Sequence, residues 1–150
     1  MTIRSVLYSE ILDAPNAAEL LAEYTAECSL PELGQTHPQP QLYQRMEESG
    51  GLQVFGVYDG KVLIGFAAVL VYVLPHYGKK VATTESIFIA ESHRHTGVGE
   101  ELIAYIEEYA RSKGCFVFLY SAPVGSRFDR LLALHYGKYR HTNNVYLRQL

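Results

Sequence analysis

The chain has 150 residues, of which 48% are hydrophobic and 19% charged, with a formal net charge of −3. This length fits one domain that buries roughly two thirds of its unfolded surface, and the charge excludes a broad basic face for nucleic acid. Cys28 and Cys115 lack metal-type spacing and are expected to be reduced thiols. Because no signal-peptide core or membrane-length apolar run is present, we expect a cytoplasmic protein without a membrane partner.

The first third of the chain predicts one strand and two helices. Residues 3–8 are apolar enough for a first strand. Apolar residues at helical spacing then predict a helix that starts at Asp13, its N-cap, and runs to Cys28. After a proline-rich loop, residues 41–48 predict a shorter helix, which Ser49-Gly50-Gly51 ends.

The middle of the chain predicts three consecutive antiparallel strands. Residues 52–58 are rich in β-branched and aromatic side chains, and Asp59-Gly60 favours a type I′ turn with positive φ at both central positions. The second arm, residues 61–73, is almost wholly apolar and is expected to be buried on both faces at the sheet centre. Residues 79–90 pair back as the third strand.

The remaining elements complete a mixed sheet. An apolar stripe after Gly97 predicts a long amphipathic helix. Residues 115–120 are typical of a buried parallel strand, residues 127–136 predict another helix, and residues 144–150 alternate like an edge strand. The order β-α-α-β-β-β-α-β-α-β predicts a single domain over residues 1–150, of the mixed α/β class with helices on both faces.

The most informative stretch joins the third strand of the hairpin region to the long helix. Glu85 and the apolar Ile87-Phe88-Ile89 precede the segment Arg94-His95-Thr96-Gly97-Val98-Gly99-Glu100. This segment lacks the Gly-Lys-Ser/Thr ending of a P-loop, and it lacks G-x-G-x-x-G. A glycine-bearing turn at a helix N-terminus presents free backbone N–H groups, so an anion, above all a diphosphate, is the expected ligand.

As R-x-x-G-x-G after an apolar strand, Arg94 to Gly99 resembles the motif of the GNAT family of acetyl-CoA-dependent N-acetyltransferases. The resemblance covers nearly the whole chain and implies a GNAT-like fold. It implies transfer of acetyl from acetyl-CoA to a primary amine by direct attack in a ternary complex, with the Ile89 N–H polarising the thioester carbonyl. Arg94 would contact the phosphates or shape the turn. The implied CoA contacts are Ile87, Phe88 and Ile89 for the pantetheine arm, and Arg94, His95, Thr96, Gly97, Val98, Gly99 and Glu100 for the pyrophosphate.

The resemblance also points to proton-transfer groups. A carboxylate on the strand takes the amine proton, directly or through water, and Glu85 stands there. Because Glu85 lies four residues before Ile89, the strand period places both on one face. The alternative is a solvated residue paired with a neighbouring lysine, Lys79 or Lys80. Tyr136 is the candidate general acid, displaced from the family position, with His135 beside it or a packing role for Tyr136 as alternatives.

The acceptor is expected to be a small-molecule or peptide amine. Six glutamates against one arginine in residues 13–51 favour a cationic acceptor, though solvated helix faces explain the same charges. Aromatic walls for its pocket could come from Tyr24, Tyr43, Tyr72 and Tyr77. No histidine shares a metal-ligand spacing with a carboxylate, so no metal site is expected.

Other assignments stay open on the sequence alone. The main alternative is a non-catalytic acyl-CoA-binding or regulatory module of the same fold. A weaker one is a nucleotide or phosphopeptide binder that uses the same helix N-terminus. Homodimerisation through the C-terminal strand is common in the family, and the sequence leaves it open here.

Overall fold

The computed structural model describes all residues 1–150. The chain forms five strands and five α-helices, with single 3₁₀ turns at Pro31–Leu33 and Glu91–His93. The strands are β1 (Thr2–Val6), β2 (Leu52–Asp59), β3 (Val62–Leu74), β4 (Lys79–Ile89) and β5 (Val117–Leu119). The helices are α1 (Tyr8–Leu12), α2 (Ala17–Cys28), α3 (Pro40–Glu48), α4 (Val98–Ser112) and α5 (Arg127–Leu134). None of these helices has the length and apolar character needed to cross a bilayer.

The strands form one sheet in the order β1-β2-β3-β4-β5. The first four pair antiparallel, and β5 pairs parallel to β4. The predicted run of three antiparallel strands followed by a parallel one is therefore confirmed. β3 lies at the centre, as its apolar composition indicates, and its side chains are buried from Leu63 to Val69 but become exposed toward Leu74.

Each face of the sheet carries its own hydrophobic cluster. On one face α4 contributes its predicted apolar stripe, Val98, Leu102 and Ile106, to a cluster that includes Ile89 of β4. On the other face α1 and α2 pack against side chains that include Phe88 of β4. Because successive strand residues point to opposite faces, neighbouring residues of β4 belong to different cores.

The N-terminal region differs from the prediction in two places. Helix α1 follows β1 directly; its five residues are too few to show a helical period. The next helix begins at Ala17 with Asn16, and not Asp13, as its N-cap. The Asn16 amide bonds the backbone of Leu63 in both directions, donating to the carbonyl at 2.7 Å and accepting from the N–H at 3.2 Å. This pair ties the start of α2 to β3.

The hairpin turn between β2 and β3 is shifted by one residue. Asp59 pairs with Val62, so the two loop residues are Gly60 and Lys61. Gly60 has φ of 58° and no non-glycine residue in the chain has a positive φ. A type I′ turn needs positive φ at both loop positions, so the predicted turn type is wrong. The glycine instead serves the first loop position alone.

The C-terminal strand predicted at residues 144–150 is wrong, because no strand follows α5. Val145 is 92% exposed and Tyr146 87%, so their alternation with polar residues has no covering layer. The outer edge of β5 therefore has no partner strand. β5 itself is shorter and more exposed than predicted, with Val117 at 50% exposure, and α5 ends at Leu134, before Tyr136.

Candidate active site

A gap opens between β4 and β5 next to the predicted motif. The two strands pair only from Val81 to Thr83 on β4. After β5, the Ser121 N–H donates to Thr84 Oγ1 at 3.4 Å, and the chain then diverges from β4. Beyond this point, β4 has no neighbour on that side. Apart from the Ile89 carbonyl, which accepts from Arg94 Nε, its backbone polar groups there are available to an incoming extended ligand.

The backbone of β4 presents alternate amides to this gap. The Ala90 N–H donates to the Ile64 carbonyl on β3 at 2.8 Å. Because N–H groups alternate in direction along a strand, those of Ile87 and Ile89 face the gap, while that of Phe88 faces β3. The Phe88 ring is also buried in the α2-side core, so Phe88 does not border the gap. Two of the three predicted strand residues thus have donors toward it.

The turn before α4 holds unpaired backbone donors. The amides of Arg94, Thr96 and Glu100 donate to protein carbonyls at 3.0–3.3 Å, whereas those of His95, Gly97, Val98 and Gly99 donate to none. Gly97, the N-cap of α4, has φ of 85°, a left-handed conformation that favours glycine. A Cβ there would meet nothing within 4 Å. Open space in front of free amides at a helix N-terminus fits a diphosphate.

The Arg94 side chain links this turn to β4 and α2. Its Nε donates to the Ile89 carbonyl at 2.8 Å and its Nη2 to Glu27 Oε2 of α2 at 2.5 Å, and the guanidinium lies 5.1 Å from the centre of the Phe88 ring. Glu23, also on α2, accepts from the Glu91 N–H at 2.7 Å. Of the two roles considered for Arg94, these contacts favour shaping the turn.

A glycine in β3 brings that strand close to Ile89. A Cβ on Gly65 would lie 2.5 Å from Ile89 Cδ1 and 2.6 Å from the Phe88 carbonyl oxygen. Both distances are shorter than real Cβ contacts. Gly99 approaches from α4, where a Cβ would lie 3.9 Å from Ile89 Cγ1. Ile89 is therefore packed between two glycines, which set the position of its backbone at the gap.

Glu85 lies in a β-bulge of β4. Ser86 pairs with Ala68 and Thr84 pairs with Val69, which leaves Glu85 without a partner on β3. The extra residue resets the alternation of side chains. Ile89 packs on the α4 face, whereas Glu85 lies on the face of α1–α3, where it bonds Tyr43. The prediction that Glu85 and Ile89 share a face is therefore wrong.

The surroundings of Glu85 are aromatic and uncharged. Tyr43 of α3 donates its hydroxyl to Glu85 Oε1 at 3.0 Å, and the Tyr8 ring stacks on the Tyr43 ring at 3.8 Å. Glu85 takes part in no salt bridge. The lysines considered as partners lie elsewhere: Lys80 donates to the Lys113 carbonyl, and Lys79 lies over the Phe116 ring.

These tyrosines stay protonated at neutral pH. Burial, followed by the nearby charge of Glu85, raises the pKa of Tyr24 to about 12. The same two causes raise the pKa of Tyr43 and of Tyr8. Tyr24 also packs edge-on against Phe66 and Phe88. Glu85 thus faces neutral hydroxyls and ring faces, with no protein cation to balance it.

Comparison with protein families agrees with this geometry. Residues 17–134 match the profile of the acetyltransferase (GNAT) family. The chain belongs to the GNAT acetyltransferase family. The resemblance noted at Arg94 to Gly99 is confirmed, and as a GNAT acetyltransferase the protein uses acetyl-CoA as co-substrate.

Solved structures share the fold of this GNAT acetyltransferase. A ribosomal-protein-alanine N-acetyltransferase from Brucella melitensis biovar Abortus 2308 superposes with a TM-score of 0.71 at 18% identity, covering 99% of each chain. An aminoglycoside acetyltransferase from an uncultured soil metagenomic sample, in complex with sisomicin, gives 0.71 at 15% identity, over 98% of this chain and 95% of that one. A Trypanosoma brucei acetyltransferase gives 0.68 at 21% identity over 99% of both. No curated protein sequence matches the chain significantly.

The second predicted proton-transfer residue of this acetyltransferase lies in an exposed turn. Tyr136 follows the end of α5 and is 86% exposed, so its role as general acid stays a prediction. Nor do three or more His, Cys, Asp or Glu side chains anywhere in the chain come together in a group that could hold a metal ion.

The sequence interpretation missed a polar cluster centred on Glu107 of α4. Tyr120 and Tyr139 each donate a hydroxyl to Glu107 Oε1 at 3.0 Å, and Lys138 Nζ lies 3.0 Å from Oε2. Only 11% of the Glu107 side chain is exposed. The sequence carries one indication that Glu107 faces the protein, since it stands four residues after the buried Ile103 and three before the buried Ala110. The cluster ties the segment after α5 to α4.

Proposed function

We propose that this GNAT acetyltransferase moves an acetyl group from acetyl-CoA to a primary amine by direct attack in a ternary complex. One observation carries the proposal: the same strand, β4, turns the Ile89 N–H into the gap and carries Glu85, a carboxylate without a cationic partner, in its bulge. Thioester polarisation and proton removal are the two tasks that amine acetylation requires.

The co-substrate is proposed to lie along the gap. The pantetheine arm would pair with the free backbone N–H groups of Ile87 and Ile89 as an added strand. Its pyrophosphate would accept from the free amides of His95, Gly97, Val98 and Gly99. In this placement the Ile89 N–H donates to the thioester carbonyl, where negative charge develops during attack.

Proton removal is assigned to Glu85. The Glu85 carboxylate takes one proton from the ammonium, so the neutral nitrogen can attack the thioester carbon. As the C–S bond then breaks, the departing thiolate takes the second proton that the nitrogen must lose. Four residues of extended strand span about 13 Å, which exceeds one hydrogen bond, so the proton would pass from the amine at Ile89 to Glu85 through water. Burial raises the pKa of the Cys115 thiol, which makes it a poor nucleophile for a covalent route.

The acceptor is proposed to be a small-molecule or peptide amine that arrives with a positive charge. Glu85 forms no ion pair within the chain, and ring faces such as those of Tyr8 and Tyr43 attract cations. An ammonium would therefore supply the charge that the site lacks. The fold shared with an acetyltransferase bound to sisomicin, an aminoglycoside, is consistent with this class of acceptor.

Two measurements test the proposal. Acetyl-CoA and CoA should stabilise the protein against heat, by about 2.7 kcal/mol at a hundredfold excess over Kd, while ATP and NAD should not. Release of free thiol from acetyl-CoA should then rise with a suitable member of a primary-amine panel. Stabilisation by ATP or NAD in place of CoA would overturn the assignment. CoA binding without thiol release from any amine would favour a non-catalytic acyl-CoA module.

A pair of glycine variants localises the co-substrate. Gly97 is the N-cap of α4 and Gly114 follows its C-cap, Lys113; their φ values are 85° and 74°, with open space around both. Gly97→Glu and Gly114→Glu should therefore lose similar stability from backbone strain, about 1–2 kcal/mol each. Only Gly97→Glu should also lose stabilisation by CoA, because its carboxylate lies where the pyrophosphate binds. Equal CoA stabilisation of the two variants would contradict the placement of the pyrophosphate at Gly97.

A further inference from the structure

We infer that Tyr43 is a positioning residue, which orients the Glu85 carboxylate for proton transfer and is itself held in place by α1. The inference rests on the proposed role of Glu85 as the base. It assigns a task in the reaction to α3, which lies outside the co-substrate gap and carries none of the predicted catalytic residues.

The contacts form an unbroken series from α1 to β4. The Tyr8 backbone N–H donates to Glu47 Oε1 of α3 at 2.7 Å. The Tyr8 ring stacks on Tyr43 with an interplanar angle of 7°, and the Tyr43 hydroxyl reaches Glu85 at 3.0 Å. Tyr43 and Glu47 lie four residues apart on one face of α3. One face of α3 thus contacts α1 through Glu47 and the bulge of β4 through Tyr43.

Glu85 needs such support because its own strand supplies none. As the bulged residue it has no cross-strand neighbour, it is exposed, and no cation fixes it. An unrestrained glutamate samples many rotamers, and freezing them at the moment of reaction raises the barrier. The bond from Tyr43 occupies Oε1 and leaves Oε2 free to take a proton.

The chemistry of the contact suits a base. A hydroxyl that donates to a carboxylate stabilises its ionised form, and the raised pKa of Tyr43, caused first by burial and then by Glu85, keeps that hydroxyl protonated. The titratable groups that face Glu85 are Tyr8 of α1, Tyr24 of α2 and Tyr43 of α3. All three are neutral below pH 8, so none of them adds a charge next to Glu85.

The variant Tyr43→Phe keeps the ring and its stack while removing the donor. We expect kcat to fall about tenfold, as one hydrogen bond to a charged group implies, with KM for acetyl-CoA unchanged. Tyr105→Phe is the matched control, since Tyr105 lies on α4 and packs against Phe55 without bonding a carboxylate.

A second pair of variants tests the hold exerted by α1. Glu47→Ala removes the acceptor for the Tyr8 N–H and should lower kcat, whereas Glu47→Gln retains an acceptor oxygen and should restore it. Neither change touches the carboxylate of Glu85. An intact rate in Glu47→Ala would overturn the part of the inference that concerns α1.

A double-mutant comparison separates this inference from the proposed function. If Glu85 is the base, Glu85→Gln is strongly impaired, and adding Tyr43→Phe should cause little further loss, because the two act as a unit. An active Glu85→Gln would sink the base assignment. An impaired Glu85→Gln beside a Tyr43→Phe with unchanged kcat would refute the positioning role alone.

Discussion

At the residue scale, one additional residue in β4 determines where the carboxylate stands. Without the bulge, Glu85 would pair with β3 and point toward the α4 side with Ile89. With it, Glu85 points toward the tyrosines of α1–α3, on the face opposite the Ile89 side chain. The Ile89 amide lies in the plane of the sheet and the Glu85 carboxylate on one face of it, so the two groups would act on an amine from different directions.

The variant Glu85→Gln tests the base directly. We expect kcat to fall about a hundredfold or more, since general base catalysis typically contributes that much, with stabilisation by acetyl-CoA unchanged. Turnover measured across pH, with heat stability in acetyl-CoA alongside, checks both parts. Glu108→Gln serves as control, because Glu108 is 74% exposed and pairs only with Arg111. An unaltered rate and pH profile would place the base elsewhere.

The sequence predicts the residue types of this site better than their orientation. The spacing of Arg94, Gly97 and Gly99 identifies the turn, because a left-handed φ and free amides favour glycine at set positions. The bulge is marked by no such residue. Around it, Thr83, Thr84, Glu85 and Ser86 are all polar, so no apolar register reveals that the alternation has slipped.

At the element scale, α2 does more for the co-substrate turn than its amphipathic pattern indicates. Glu23 and Glu27 accept from the turn that precedes α4, and Glu47 accepts from α1. Glu48 accepts from Gln44 of its own helix at 2.8 Å, so four of the six glutamates that favoured a cationic acceptor have partners within the protein. The case for a cationic acceptor now depends on Glu85 and its tyrosines, not on net charge.

The Glu107 cluster predicts a pH-dependent contribution to stability. Burial alone raises the pKa of Glu107, but the hydrogen bonds from Lys138, Tyr120 and Tyr139 together bring it below its usual value. A lowered folded pKa stabilises above the unfolded pKa, about 4.3, and this stabilisation is lost as pH falls through the folded value.

We therefore expect Glu107→Gln to lower the free energy of unfolding at pH 7 by about 2 kcal/mol. The difference from the unmodified protein should shrink as pH falls from about 5 toward 3. Urea unfolding at several pH values measures it, with Glu108→Gln as the exposed neighbour for comparison. A difference that persists unchanged at the acidic end would show that the carboxylate charge is not involved.

Element prediction succeeded where a pattern was long and failed where it was short. The fifteen residues of α4 repeat their apolar stripe over four turns, whereas α1 has five residues and no repeat. Alternation at residues 144–150 resembles a strand, but alternation carries no information about a partner. The edge strand that precedes these residues in the chain, β5, is only three residues long.

At the scale of the whole molecule, both cores share the same strands. Phe55 and Val57 of β2 belong to the α4-side cluster, while Leu52 and Val54 of the same strand belong to the other. Because both cores use the same strands, loss of packing in one core also disorders the sheet that supports the other core. This sharing is also why the fold class was predictable from element order, since a mixed sheet must cover two faces.

A single cooperative unfolding transition follows, as expected for one domain over residues 1–150. Far-UV circular dichroism follows the backbone, and tyrosine emission, the only strong intrinsic signal in a chain with 12 Tyr and no Trp, follows packing on both faces. The two denaturation curves should coincide. Separate midpoints would show that the two cores unfold independently and that the chain holds more than one unit.

The open edge of β5 has a consequence for how the protein behaves at high concentration. Unpaired strand edges act as templates for other chains, and lysine is the residue that most often discourages such contact. Phe116 is 68% exposed at the start of this edge, and Lys79 Nζ lies 4.2 Å from the centre of its ring. Lys79 thus covers an apolar side chain with a charge. Colloidal stability should depend on this lysine far more than its exposed position suggests, independently of acetyl transfer.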